Sequence, residues 1–333
     1  MDRFLQLVFC LFLLPATHAQ DIHWSQFNDN PIFQNPGNAG HFKGDMRFVA
    51  NYRDQWRSVT VPFSTFSFSV DANLQRIKNL GYGLLFFHDV VGDGQFRTIE
   101  VQGNVSYQLK LSSDSTHSLR PGINVGFNHR QFNFNQFYFD NQFDGVTYNP
   151  ALSTGENLQS DRKSNFSVGA GAVYQFYKNE RLNFTFGVGA FNLNRPNQGF
   201  YNNYIPRDIR INLSGRGIYK LNYDWDLVPG IQLSLQGKYR EFIIGSSVKY
   251  TLINRLGQYR ALYAGLWYRN QDAGFITVGM DYQSWFAGIS YDVNFSKLVP
   301  ASRARGGIEV AVRYILHRFK PKKVAHRICP DYI

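Results

Sequence analysis

Apolar and polar residues alternate through most of this chain. In the stretch TIEVQGNVSYQLKL, residues 98–111, Ile99, Val101, Val105, Tyr107, Leu109 and Leu111 fall on one parity, and Thr98, Glu100, Gln102, Asn104, Ser106, Gln108 and Lys110 on the other. Side chains on a strand point alternately to the two faces of its sheet, so this is a strand with one oily and one wet face. The same pattern recurs in FSFSVDANL (66–74), FSVGAGAVYQF (166–176), LNFTFGVGA (182–190) and, less cleanly, GIEVAVRYIL (307–316). About fourteen such segments are expected, near 45–56, 62–73, 79–90, 96–110, 118–130, 163–178, 181–192, 207–221, 225–236, 239–252, 258–269, 272–281, 283–295 and 305–318. Helical periodicity is convincing nowhere.

Segment length bears on what the oily face meets. Strands of soluble sheets run about five or six residues, whereas a membrane-crossing strand needs about nine to eleven. Most segments here run ten or more. The connections also sort by parity. One set is short (KNE, NYD, DYQS), and the other contains the two longest, 131–162 and 193–206. Short periplasmic turns and long external loops are the habit of outer-membrane barrels. The expected fold is therefore all-β: a transmembrane antiparallel β-barrel of about 14 strands, with oily faces to lipid and wet faces to the lumen. An open sheet edge cannot sit in hydrocarbon, so the sheet must close. On this reading Val105→Arg should cost about 2–4 kcal/mol at the midplane and Asn104→Arg little.

Composition agrees. Mean hydropathy is slightly polar, −0.32, yet aromatic residues make up 17% of the 333 residues. A polar lumen with aromatic girdles reconciles the two. The first residues, MDRFLQLVFCLFLLPATHA, read as a secretory signal peptide cleaved after Ala19. Four parts are then expected: signal peptide 1–19, N-terminal strap 20–44, barrel 45–318, and basic tail 319–333. Removing the leader leaves one cysteine, Cys329, so neither an intramolecular disulfide nor a thiol-based zinc site is expected.

The strap, DIHWSQFNDNPIFQNPGNAG, is rich in Pro, Gly, Asn and Asp and is no strand. Trp24, Phe27, Ile32 and Phe33 would be costly in water, so it is expected to pack at the periplasmic barrel mouth or within the lumen. In NYRDQW, parity sends Arg53 and Gln55 to the lumen, and Tyr52 and Trp56 to lipid. Glu309 points inward early in the last strand, and a lumenal Arg53–Glu309 pair across the closing seam is a further expectation.

SQFNDNPIFQNPGNAG followed by RFVANYRDQW resembles the opening of the PorP/SprF family of type IX secretion membrane proteins. The matching positions are Ser25, Gln26, Phe27, Pro31, Asn35, Pro36, Ala39, Gly40, Asn51, Tyr52, Arg53, Gln55 and Trp56; Gly37 departs, where the family more often has Ala. GGIEVAVRYIL and Cys329-Pro330 also look like the family's last strand and tail. The resemblance implies a non-catalytic outer-membrane barrel working with the secretion apparatus: its periplasmic lipoprotein ring, its translocon, and a secreted cargo or adhesin. The matching residues are candidate partner contacts, or simply girdle and lumen residues.

Net charge is +11, and part of it sits in the tail. Arg318, Lys320, Lys322, Lys323 and Arg327 face one acid, Asp331. This is either a solvated basic end or a periplasmic docking peptide for an acidic partner or anionic headgroups. No nucleic-acid partner is expected of an exported chain.

No nucleophile elbow, zincin motif or phosphate loop occurs, and no cofactor or metal site is expected. The histidines are scattered, though His129 with a nearby Ser is a formal hydrolase candidate. The loop QFNFNQFYFDNQF, 131–143, could extend a strand, recognise cargo or fold inward as a plug. The competing function is an outer-membrane channel or transporter for small or hydrophobic solutes.

Overall fold

The computed structural model describes residues 21–317 apart from 56, 58–60, 75, 76, 78, 157–159, 202, 256 and 296–304. The expected leader, Trp56 and the basic tail from Arg318 onward lie outside the described residues.

Fifteen antiparallel strands form one sheet: β1 (Met46–Gln55), β2 (Phe63–Asn73), β3 (Leu80–Val91), β4 (Phe96–Tyr107), β5 (Leu109–Lys110), β6 (His117–Gln131), β7 (Arg162–Asn179), β8 (Leu182–Phe191), β9 (Arg210–Lys220), β10 (Trp225–Gln236), β11 (Tyr239–Arg255), β12 (Gln258–Arg269), β13 (Ala273–Tyr282), β14 (Trp285–Asn294) and β15 (Arg305–Leu316). β5 is a two-residue continuation of β4 and pairs with the start of β6. The other fourteen each pair with both neighbours. β4 joins β6, and β1 joins β15, so the sheet closes into a barrel. Each expected segment is a strand, with ends that move by a few residues. Among the described residues no helix is long and apolar enough to cross a membrane; the crossing is done by strands.

Alternation sets the faces. On β4, Val101, Val105 and Tyr107 stand outward and exposed, Val105 at 44%, while Glu100, Gln102, Asn104 and Ser106 are buried inside. Outward aromatics gather near the strand ends: Trp225 against Tyr250, Trp285 against Tyr314, and Tyr268 stacked on Phe295. Such rings suit the headgroup level, where an apolar body and a polar tip are both satisfied.

The two mouths differ. One carries the short turns at 180–181, 221–224 and 283–284, and the other carries the long connections 132–161 and 192–209. The aromatic loop neither extends β6 nor enters the lumen. Past Gln131 it forms two 3₁₀ turns, Phe134–Gln136 and Asp140–Gln142. Phe137 packs against both Phe132 and Phe139, and Phe132 packs against Phe200 of the second long loop, a small aromatic cluster on top of the barrel.

The lumen is filled, and the strap fills it. Trp24, Phe27, Ile32, Phe33 and Ala39 are 0–7% exposed. The strap starts at the long-loop mouth, where the Asp21 amide donates to Gln236 Oε1 at 2.8 Å. It descends the barrel axis and leaves at the short-turn mouth, where the Asp45 amide donates to the Leu316 carbonyl. The expectation for Asn104→Arg needs correcting on this account. Asn104 is 2% exposed, so an arginine there would enter packed protein and not open water, and overpacking of that kind is destabilising.

Candidate functional site

The strap makes its own local structure. Pro31 opens a single helical turn, Pro31–Gln34, a place where its missing N–H costs nothing. Asn35 accepts from the Gly37 amide at 2.8 Å and starts a 3₁₀ turn, while its Nδ2 donates to the Ala172 carbonyl at 3.1 Å. The Asn38 amide group donates back to the Pro31 carbonyl at 2.8 Å. Two glycines let this segment touch the wall. A Cβ on Gly37 would lie 2.5 Å from the Arg120 carbonyl oxygen, and one on Gly122 would lie 2.5 Å from the Gly37 nitrogen. An alanine at position 37 would therefore force strap and wall apart here.

Two apolar sockets hold the strap's large side chains. Trp24, Ile32 and Phe33 pack with Leu85 and Phe87 of β3. Phe27 packs with Ile243, Trp267 and Phe275, its ring edge-on to Trp267 at 5.5 Å. Fully burying side chains of this size is worth about 1.5–3 kcal/mol each.

Between the sockets lies a charged lock at the closing seam. Arg53 and Glu309 are register partners across β1 and β15, and Arg53 Nη1 donates to Glu309 Oε2 at 3.4 Å. The Glu309 carboxylate also accepts the Ser25 amide at 2.8 Å and the Gln26 amide at 2.9 Å. Asp292 accepts from Arg53 Nη2 and from Arg269 Nη1, each at 3.0 Å, and from the Ser25 hydroxyl at 2.8 Å. The Gln55 amide, turned so that its oxygen faces Arg53, accepts from Nη2 at 2.6 Å. Arg53 and Arg269 thus sit buried with Glu309 and Asp292, and Arg269 also pairs with Asp272 at 3.0 Å and lies 3.6 Å from Glu241, so each buried charge is partnered.

Two further ionic clusters tie down the strap's ends. Near the long-loop mouth, Arg207 donates to Asp21 at 2.7 Å and to Glu100 at 3.2 Å. Burial would raise the Asp21 carboxyl, but Arg207, Arg210 and Arg130 together hold it well below the usual carboxylate range. Near the short-turn mouth, Arg47 grips Asp71 through two nitrogens at 2.9 and 2.8 Å, and Asp71 accepts the Gly40 amide at 2.7 Å.

The structure brings most of the motif residues together. Ser25, Gln26, Phe27, Asn35, Pro36, Gly40, Asn51 and Arg53 are buried in the lumen, and Pro31 is half-buried there. Tyr52 stands on the outer face, where it receives the Ser64 hydroxyl. The separated halves of the motif meet at the lock. Sequence reasoning missed Asp292, Arg269, Asp71, Arg207 and Asp21, which come from remote strands and loops and carry no local signature.

His129 Nδ1 and Ser164 Oγ lie 2.8 Å apart on the exterior. No third group orients the imidazole among the described residues, so this pair lacks the orienting partner of a triad. Among the described residues no His, Cys, Asp and Glu cluster could hold a metal ion.

The closed antiparallel barrel, its apolar outer band and its polar interior define an outer-membrane β-barrel protein. A sequence match described as "Type IX secretion system membrane protein PorP/SprF" spans residues 16–314. The chain belongs to the PorP/SprF family. Among solved structures it is similar to the Pseudomonas putida toluene transporter TodX, with TM-score 0.52 and 10% identity over 86% of this chain and 93% of that one. It is also similar to a Pseudomonas aeruginosa FadL homologue, with TM-score 0.50 and 12% identity over 87% and 94% of the two chains. At such identities the likeness is one of fold. No curated protein matches by sequence.

Proposed function

We propose that this protein is a non-catalytic outer-membrane accessory of the type IX secretion system that helps export or surface attachment of cargo such as an adhesin. The observation that carries the reading is the strap. The residues that mark the family are spent on plugging the lumen and locking the plug to the seam. Below the short-turn mouth the interior voids shrink from about 660 Å³ to about 50 Å³ and less, too little for a solute path. A barrel closed in this way offers its surfaces, not a pore. That disfavours the alternative of a channel for small or hydrophobic solutes.

The short-turn mouth is then periplasmic, facing the lipoprotein ring of the apparatus, and the aromatic loops face outward, where cargo is received. The basic tail, beginning just past the end of β15, would add a periplasmic docking peptide. The test is a chromosomal deletion. Loss of cargo display with unchanged uptake of small solutes is expected. Intact display with impaired solute uptake would overturn the reading.

A further inference from the structure

We infer that the vestibule at the short-turn mouth is a receptor for an acidic peptide segment of a periplasmic partner. The orientation rests on the secretion reading above; the binding chemistry does not. The vestibule encloses about 660 Å³ between the strap's exit and strands β6 to β9, room for a few residues of extended chain. Its lining contains Lys43, Arg47, Arg120, Arg216 and Arg313 and not one aspartate or glutamate.

Two of these five cations lack a carboxylate of their own. Arg47 is matched by Asp71, Arg313 by Asp29 at 3.1 Å and Asp281 at 3.5 Å, and Lys43 by Glu180 at the rim. Arg120 is different. It donates only to neutral oxygens, the Gly40 carbonyl at 2.8 Å and Asn73 Oδ1 at 3.0 Å, and its buried Nε has no partner. Arg216 makes no close ion pair or side-chain hydrogen bond among the described residues; the acid acting on it is Asp29, which Arg313 already holds at 3.1 Å. Five cations line this mouth, and the carboxylates of Asp71 and Asp29 near them lie behind the lining, each shared by more than one cation. The surface it presents is therefore an electrostatic funnel for carboxylates arriving from outside, and guanidinium forks match their geometry. The chain's own tail is basic and would be repelled from this cavity, so the occupant comes from another molecule.

The experiment uses the full mature barrel in detergent micelles and a fluorescent hexaglutamate probe, with hexaglutamine and hexalysine as controls. Hexaglutamate is expected to bind in a salt-sensitive manner and the controls not to bind. Arg216→Gln should weaken binding about tenfold, the loss of one charge-assisted hydrogen bond. Thr185→Glu, which adds a carboxylate to the lining, serves as a second variant, and each is first checked for heat-modifiable folding. On the unaltered protein, the peptide should slow hydrogen exchange at residues 38–44 and 175–177. Equal binding by wild type and both variants, equal binding of hexaglutamine, or no change in exchange would overturn the inference. Inorganic phosphate or free glutamate binding as tightly as the peptide would replace it with a small-anion site. Peptide binding without cargo loss on gene deletion would sink the secretion reading alone; cargo loss without peptide binding would sink the vestibule alone.

Discussion

Replacing Glu309 with alanine should release the plug while leaving the wall intact. The carboxylate holds three donors: the Ser25 and Gln26 amides at 2.8 and 2.9 Å and Arg53 at 3.4 Å. Its loss strands two buried backbone amides and leaves Arg53 sharing Asp292 with Arg269. Removing one member of a buried ion network costs about 3–5 kcal/mol. Strand pairing at the seam is made by backbone groups, so most of that cost should fall on strap docking. At about 1.4 kcal/mol per tenfold, strap opening should become roughly two to four orders of magnitude more frequent. Hydrogen–deuterium exchange of the barrel in micelles reads this directly. Peptides covering residues 24–35 should exchange faster by that factor, with β3, β4 and β12 unchanged. Glu309→Gln, which keeps one acceptor oxygen, should fall between. Unchanged exchange in the strap of the alanine variant would refute the idea that this carboxylate fastens it, and uniform acceleration of wall and strap would show that it serves the barrel as a whole.

Three further outcomes follow from the same geometry. Val105→Arg should lower folding stability in liposomes by about 2–4 kcal/mol. Asn104→Arg should also destabilise because it meets the packed lumen, whereas Asn183→Arg, which opens on the vestibule, should fold normally; chemical denaturation of the three variants separates these cases. Gly122→Val would place a side chain onto the backbone of Pro36 and Gly37, and overpacking of this kind costs about 1–3 kcal/mol; protease cleavage within residues 30–44 should rise while the barrel remains resistant. Burial, with repulsion from Arg120 and Arg47, pushes the His41 imidazole down to about 4. The unfolded chain therefore binds more protons below pH 6.5, and stability should fall as pH drops from 6.5 toward 4, by up to about 2 kcal/mol at pH 5. Thermal unfolding should show wild type losing stability relative to His41→Gln as pH falls from 6.5 toward 5, and an unchanged difference between the two would refute the assignment.

The wall was legible because one physical signal, lipid outside and polar residues inside, repeats on each strand and needs no long-range information. The inward pairing of Arg53 with Glu309 followed from the same parity once the barrel was closed. The plug was only half legible. Trp24, Phe27, Ile32 and Phe33 announced a packed strap, but its sockets lie on strands where the alternation lapses: Leu84-Leu85-Phe86-Phe87, Phe242-Ile243-Ile244 and Leu266-Trp267-Tyr268. In each run an apolar side chain occupies an inward position, Leu85, Phe87, Ile243 or Trp267, and these are the side chains the strap covers. Irregularities in the pattern were thus the sequence's record of the plug. The ionic clusters left no such record. Asp21, Glu100 and Arg207 lie on three remote segments, and nothing in their neighbourhoods distinguishes them from lumen or loop charges. The aromatic loop was ambiguous by composition: alternating Phe and Asn allowed a strand, a recognition surface or a plug, and the loop instead folds into 3₁₀ turns with Phe132 packed on Phe200 while Tyr138 and Phe143 stay exposed.

The most direct test of the account is a mild-detergent purification of the tagged protein from its native outer membrane after cross-linking, with partners identified by mass spectrometry. Recovery of periplasmic ring lipoproteins, the translocon or a large surface adhesin is the predicted result. Recovery of the barrel alone, together with solute flux through the same protein in liposomes, would contradict it.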